Sequence, residues 1–197
     1  LEERPLSMPA IQFSREYLCE PIHDVASMFP HSILEPARNH DLVLLDRADT
    51  EYNEEGEPAG IFGQHFIGWD PAIASDKNAD FTAMVTIRTL PDDTELRDMR
   101  NDIPIRTFMT TRQRKESMFM ALLLAFEQGQ MQLPYGDERS RTFTHKLEEE
   151  LNRFGMQKSG KLESVGTHDD IAVALALANW GTKEFKGSVM LLDEILP

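Results

Sequence analysis

The stretch THDDIAVALALANW, residues 167–180, decides how the rest of the chain is read. From Ile171 onward it is apolar on every face, with Ile171, Val173, Leu175 and Leu177 separated only by alanines. A helix that is hydrophobic all round must be buried on most sides. Yet two adjacent carboxylates, Asp169 and Asp170, stand at its mouth behind His168. Aspartate is a preferred helix cap, and a carboxylate there gains roughly 0.3–1 kcal/mol from the helix dipole. One acid meets that need, and a second is more than a cap requires. A buried helix aims both at a fixed place on the protein.

The elements upstream supply what such a helix packs against. GQHFIGWDPA (63–72) reads as a strand up to Asp70, with Pro71 ending it. IASDKNAD (73–80) is a polar turn, and the alternating, β-branched FTAMVTIRTL (81–90) is a second strand paired with the first as a hairpin. PDDTELRDMRND (91–102) is highly charged, and IPIRTFM (103–109) is a third short strand. TTRQRKESMFMALLLAFEQG (110–129) is a helix capped by threonine and closed by Gly129, with Met118, Leu122, Ala125 and Phe126 on one face. MQLP (131–134) reads as a short strand. RTFTHKLEEELNRFGM (141–156) is a second helix with Phe143, Leu147 and Leu151 as its seam. Strands and helices in this order predict an α/β fold.

The first 40 residues differ. Prolines at Pro5, Pro9, Pro21, Pro30 and Pro36 disfavour helix just before each of them. IQFSREYLCEPI can hold one short helix, with Phe13 and Tyr17 on one face. We read residues 1–40 as a connector packed on a neighbour, not as a core, and 41–197 as the domain proper. LVLLD (42–46) is a candidate strand, and the acidic, Gly/Pro-punctuated 46–60 a loop.

The bulk numbers narrow the function. At 197 residues and 41% hydrophobic, the chain is long enough for one real core. No apolar run nears the eighteen or so residues that span a bilayer, and LEERPLSMPA carries no apolar leader segment, so neither membrane nor export is expected. A single cysteine, Cys19, excludes a disulfide framework and a cysteine zinc cluster, and packing is its expected role in a reducing cytoplasm. A net charge of −14 argues against a sequence-independent nucleic-acid coat, but not against an enzyme with a local basic path. Arg97, Arg100, Arg106, Arg112, Arg114 and Lys115 form such a local concentration. They are either ordinary helix-surface charge or a phosphate track.

Asp70, at a strand end, and Asp169 and Asp170, at a helix start, are the acids that could converge. Asp-Pro is also a common turn opener, and the hairpin acids Asp76 and Asp80 read equally as solvated. If the three do meet, they suit a hard divalent cation, which binds through a few carboxylates plus substrate phosphate. Two such ions, roughly 3.5–4 Å apart, can activate water and stabilise the leaving oxygen of a phosphodiester.

Taken in order, GWDPAIASDKNADFTAMVTI, IPIRTFMTTRQRKESMFMALLLAFEQGQMQLP, LEEELNRF and THDDIAVALALA resemble the C-terminal nuclease domain of large terminase subunits. These are the DNA-packaging proteins of tailed viruses of bacteria and archaea. FSREYLCEPI…SMFP resembles the stretch that joins the terminase ATPase motor to its nuclease. The resemblance implies a ribonuclease H-like mixed β-sheet flanked by helices. It implies an endonuclease that cuts concatemeric double-stranded viral DNA with two Mg2+ or Mn2+ ions in the host cytoplasm. Partners implied are the ATPase domain, the portal and the small terminase subunit. Asp70 matches the first-strand catalytic and metal-binding acid. Asp169 and Asp170 match the acid pair of the last helix, with the primary ligand left open between them. Asp80 matches an auxiliary metal ligand, Lys115 a recurrent lysine, and His168 an orienting or DNA-facing histidine. Arg106, Arg112, Arg114 and Lys115 are then DNA-binding residues.

One departure stands out. The family carries a middle catalytic acid on a strand between the hairpin and the IPIRTF-like strand, and LPDDTELRDMRND is too short to hold that element. Either the chain has lost it, or a disordered segment near 91–96 is omitted from the sequence. The second is favoured, because a clean loss would remove central strands. It predicts a break there, with consecutive Cα atoms well beyond the roughly 3.8 Å of a trans peptide. No middle acid is assigned. With no GxxxxGK[ST] phosphate loop, ATP hydrolysis by that mechanism is not expected. The competing reading is a catalytically incomplete module that grips DNA or couples to the motor or portal.

Overall fold

The computed structural model describes residues 7–18, 27–44, 64–71, 82–89, 111–156, 162–164 and 169–184. The interval 90–110, which holds the expected break, the IPIRTFM strand, Arg97, Arg100 and Arg106, lies outside them, as do Cys19, the 46–60 loop, Asp80 and His168.

The apolar helix is α5, Asp170–Glu184. Its alanines Ala172, Ala174, Ala176 and Ala178 are buried together with Leu175, as a helix without a polar face requires. One side of it is covered by the hairpin of β2 (Gln64–Asp70) and β3 (Ala83–Thr89). The two strands pair antiparallel from Gln64↔Thr89 to Asp70↔Ala83. Side chains alternate across such a pair. Phe66, Gly68, Asp70, Ala83, Val85 and Ile87 lie on the more buried side, while Ile67, Trp69 and Met84 are exposed on the other.

Small residues let helix and hairpin approach closely. A Cβ on Gly68 would overlap the Ala174 carbonyl oxygen and reach within 2.7 Å of the Ala178 nitrogen. Backbone thus packs on backbone there, and only glycine fits.

The other side of α5 meets α3, Arg112–Glu127. Thr111 caps α3 by accepting a hydrogen bond from the Arg114 N–H. Met118, Leu122, Ala125 and Phe126 are buried, as their spacing predicts, and Phe119 and Leu123 join them. Gly129, at φ 66°, ends the helix in the left-handed region. The second helix, α4, spans Glu138–Asn152, beginning and ending earlier than 141–156. Asp137 starts it by accepting from the Ser140 N–H at 2.7 Å. Beyond it the chain turns extended as β5, Phe154–Met156, pairing with β6, Leu162–Ser164. Phe154 there stacks on Phe119 of α3 at 4.2 Å, which puts its ring in the core instead of on a helix seam.

Two expectations for the N-terminal part are corrected. The short helix exists, as α1 (Ala10–Glu16), and Phe13 is buried with Tyr17 stacked on it. But Met28, Phe29 and Leu34 lie fully inside the main core beside α3 and α4, so the stretch through α2 (His31–Leu34) contributes to that core. The strand expected at 42–46 is not formed at 42–44. The pairing falls upstream, where β1 (Arg38–Asn39) runs parallel to β4 (Leu133–Pro134). Leu42 is held in a turn instead, its carbonyl accepting from Tyr135 and Gly136.

The architecture is mixed α/β. Among the described residues it holds three two-stranded sheets, one parallel and two antiparallel, with helices around them. No helix among these residues is long and apolar enough to cross a membrane.

An ion pair ties the β1–β4 edge to α4. The Arg38 guanidinium donates twice to Glu148, at 2.7 Å each, in a site where both side chains are largely buried. Burial alone would push the Glu148 carboxyl up, but the Arg38 hydrogen bonds and charge outweigh it and hold the group below the ordinary glutamate range. A lowered folded-state pKa gives stability that is present above the unfolded value and lost as pH falls through the folded one.

Two outcomes check this packing. Gly68→Ala lowers stability by about 1–3 kcal/mol in chemical denaturation, and Gly68→Val by more; an unchanged midpoint would mean β2 does not lie on α5. Glu148→Gln costs roughly 3 kcal/mol at neutral pH, because it strands Arg38. That cost shrinks as pH drops below the glutamate range, where the native Glu148 protonates as well.

Candidate functional site

The register of β2 on α5 decides which acids share an end. Gly181 lies against the Phe66 ring, and Gly68 lies against Ala174 and Ala178. Moving forward along β2 therefore moves back toward the start of α5. A strand rises about 3.3 Å per residue and a helix about 1.5 Å. Asp70, two residues past Gly68, thus stands level with the first turn of α5, which Asp170 opens. Asp70 is half-buried on the α5-facing side, and Asp170 is buried. Both have interaction partners within the protein.

The carbonyl of Asp169 accepts the first helical bond, from the Val173 N–H at 2.9 Å, so Asp169 occupies the capping position. In that position its side chain would ordinarily take the N–H groups of Ile171 or Ala172. Glu150 of α4 takes them instead. Its Oε2 accepts from Ile171 at 2.8 Å and from Ala172 at 3.0 Å. Burial raises the Glu150 carboxyl above its ordinary range. The two amides pull it back, and the nearby charges of Asp170 and Asp169 add to the rise.

The Asp169 carboxylate, not used as a cap, faces α3. Lys115 Nζ donates to its Oδ2 at 3.2 Å. The same ammonium sits 5.6 Å from the Phe154 ring centre and 6.0 Å from that of Phe119. Cation–π attraction and an apolar floor hold it there. Arg112 and Arg114, in the first turn of α3, are exposed. The N-terminal ends of α3 and α5 therefore meet at the Lys115–Asp169 pair, and helix N-termini of this kind favour anions such as phosphate.

Of the residues read from sequence, Asp70, Asp169, Asp170, Lys115, Arg112 and Arg114 are thus brought to the α5 N-terminal end or to the helix turn beside it. Lys115 is engaged with Asp169 and not simply solvated. Asp80, Arg106 and His168 fall outside the described residues. Among those described, no three His, Cys, Asp or Glu side chains form a metal-ligating group. Asp70, Asp169 and Asp170 offer carboxylate oxygens only, which suits a hard divalent cation in kind; remaining positions on such an ion are commonly filled by water and phosphate.

Glu150 is the residue that sequence reading passes over. Its signal lies in LEEEL: with Leu147 and Leu151 forming the seam, Glu150 at three residues past Leu147 falls on the same side. A glutamate in that position is buried and needs a partner. Only the fold shows that the partner is the start of α5. Comparison of the chain with protein-family models, with curated proteins and with solved structures gave no match.

Proposed function

We propose that this chain is a divalent-metal-dependent DNA endonuclease of ribonuclease H-like type, akin to the nuclease domain of large terminase subunits, acting on double-stranded viral DNA during packaging. The observation that supports it most is the antiparallel register of β2 on α5, which sets Asp70 level with the first turn of α5. Asp70, Asp169 and Asp170 would hold a magnesium or manganese ion, with Asp80 as an auxiliary. Such an ion supplies charge that lowers the pKa of an attacking water and offsets the leaving oxygen.

The protein's own part is geometric and electrostatic. The buried α5 and the paired β2 fix the carboxylates on rigid elements, so little reorganises when phosphate arrives. Lys115, over the Phe119 and Phe154 rings, keeps a positive charge within reach of the scissile region. Arg112 and Arg114 extend that charge along the first turn of α3, where they would bind backbone phosphates and carry no base choice. Hydrolysis adds the water oxygen to phosphorus and releases the deoxyribose oxygen of the broken bond with a proton. In the packaging machine the partners would be the ATPase motor domain, the portal and the small terminase subunit, in the cytoplasm of the host.

Nicking of supercoiled plasmid with Mn2+ or Mg2+ tests the reading. Asp70→Asn and Asp170→Asn are expected to reduce cleavage to background while DNA binding persists. Cleavage undiminished in Asp70→Asn would leave only a DNA-gripping or motor-coupling module. Arg112→Glu with Arg114→Glu is expected to weaken DNA binding at all sequences and to lower the slope of log affinity against log salt by about 2. An unchanged slope would remove both from the DNA path.

A further inference from the structure

A helix that begins with two aspartates would normally spend one of them on its own free amides. Here neither needs that duty, because Glu150 reaches across from α4 and accepts both the Ile171 and Ala172 N–H groups with a single oxygen. Glu150 is itself buried at 8% exposure, so its reach is confined by its surroundings. Asp169 pairs with Lys115 and leaves the cap to Glu150.

We infer that Glu150 is a positioning residue for the divalent-cation site: it caps α5 from α4 so that the Asp169 carboxylate stays out of the cap and can serve as a ligand. This rests on the nuclease reading above. Without the Glu150 oxygen, the Ile171 and Ala172 amides are left unsatisfied, and the acceptor that a helix start ordinarily supplies for them is the carboxylate of the capping residue, Asp169. Asp169 would fold back onto them, break its pair with Lys115 and withdraw from the site. The role is one of geometry, not of charge. Glutamine can reproduce it, since one carbonyl oxygen suffices for both bonds. Aspartate cannot, since it is one methylene shorter.

The test measures Mn2+ binding to the intact chain, free of DNA, by calorimetry and by the shift in Tm, with hydrogen exchange of the Ile171 and Ala172 amides alongside. Glu150→Gln is expected to bind Mn2+ as the native chain does. Glu150→Asp and Glu150→Ala are expected to weaken it by about 10- to 100-fold, the usual effect of losing a group that orients metal ligands. A merely structural role would lower the metal-free Tm of both and leave the Mn2+ midpoint where it is, which would overturn the inference. So would a loss in Glu150→Gln as large as in Glu150→Asp, because that would make charge the cause. Should Glu150→Ala fail to fold, the Gln and Asp pair still decides. A native chain that neither binds Mn2+ nor cleaves with it defeats the nuclease reading and this inference together. A native chain that binds it, matched by Glu150→Asp, defeats the inference alone.

Discussion

At Gly68 the backbone of β2 rests directly on the backbone of α5, with no side chain between them. That close approach lets an alanine-rich helix without a polar face be covered by a hairpin on one side and by α3 on another. Contact this tight also fixes how strand and helix slide past one another, since a shift of one residue would bring a Cβ from Ile67 or Trp69 against the helix. The position of Asp70 relative to the head of α5 follows from this register. The candidate site is therefore a consequence of packing in the middle of the molecule, and not of a flexible loop that happens to be acidic.

The second determinant is how charge is arranged at the helix mouth. Asp169, Asp170 and Glu150 lie together where α5 begins, with Asp70 level with that turn on β2, and such a gathering is unfavourable unless each member has a role in the fold. Glu150 satisfies amides, Asp169 pairs with Lys115, and Asp70 and Asp170 have partners of their own. Burial raises the Glu150 carboxyl, and the charges of Asp170 and Asp169 add to the rise. Glu148, two residues earlier on α4 and paired with Arg38 of β1, shows the opposite case: there a guanidinium is close enough to overcome burial and hold the carboxylate down. A helix with glutamates 148 and 150 thus uses one to anchor the β1–β4 edge and the other to organise α5.

Much of this was legible in the residues. The all-apolar run after Asp170, the alternation in HFIGWD and AMVTIRT, the threonine cap before Arg112 and the glycine stop at Gly129 each act through local physics that sequence carries. The mixed α/β class follows from them. Less local features were not legible. Phe154 reads as a continuation of its helix, yet ring stacking on Phe119 draws it into an extended segment. The proline-rich approach to Phe29 reads as a connector, yet Phe29 packs edge-on against Phe119 and Phe126 in the core. Leu42–Leu44 has strand-like side chains but no partner strand among the described residues, and the carbonyl of Leu42 is taken by a turn. Glu150 needed the third dimension most of all, because its partner lies in another helix. Sequence could not say where along α5 Asp70 would lie; the β2–α5 register sets it level with the first turn of that helix.

The most direct measurement is anomalous scattering from crystals of the chain grown with Mn2+. The account predicts a manganese peak bounded by the carboxylates of Asp70 and Asp170 at the head of α5, with Glu150 still bonded to the Ile171 and Ala172 amides. A well-ordered head of α5 with no manganese between Asp70 and Asp170 at millimolar metal, or manganese bound elsewhere on the acidic surface only, would contradict it.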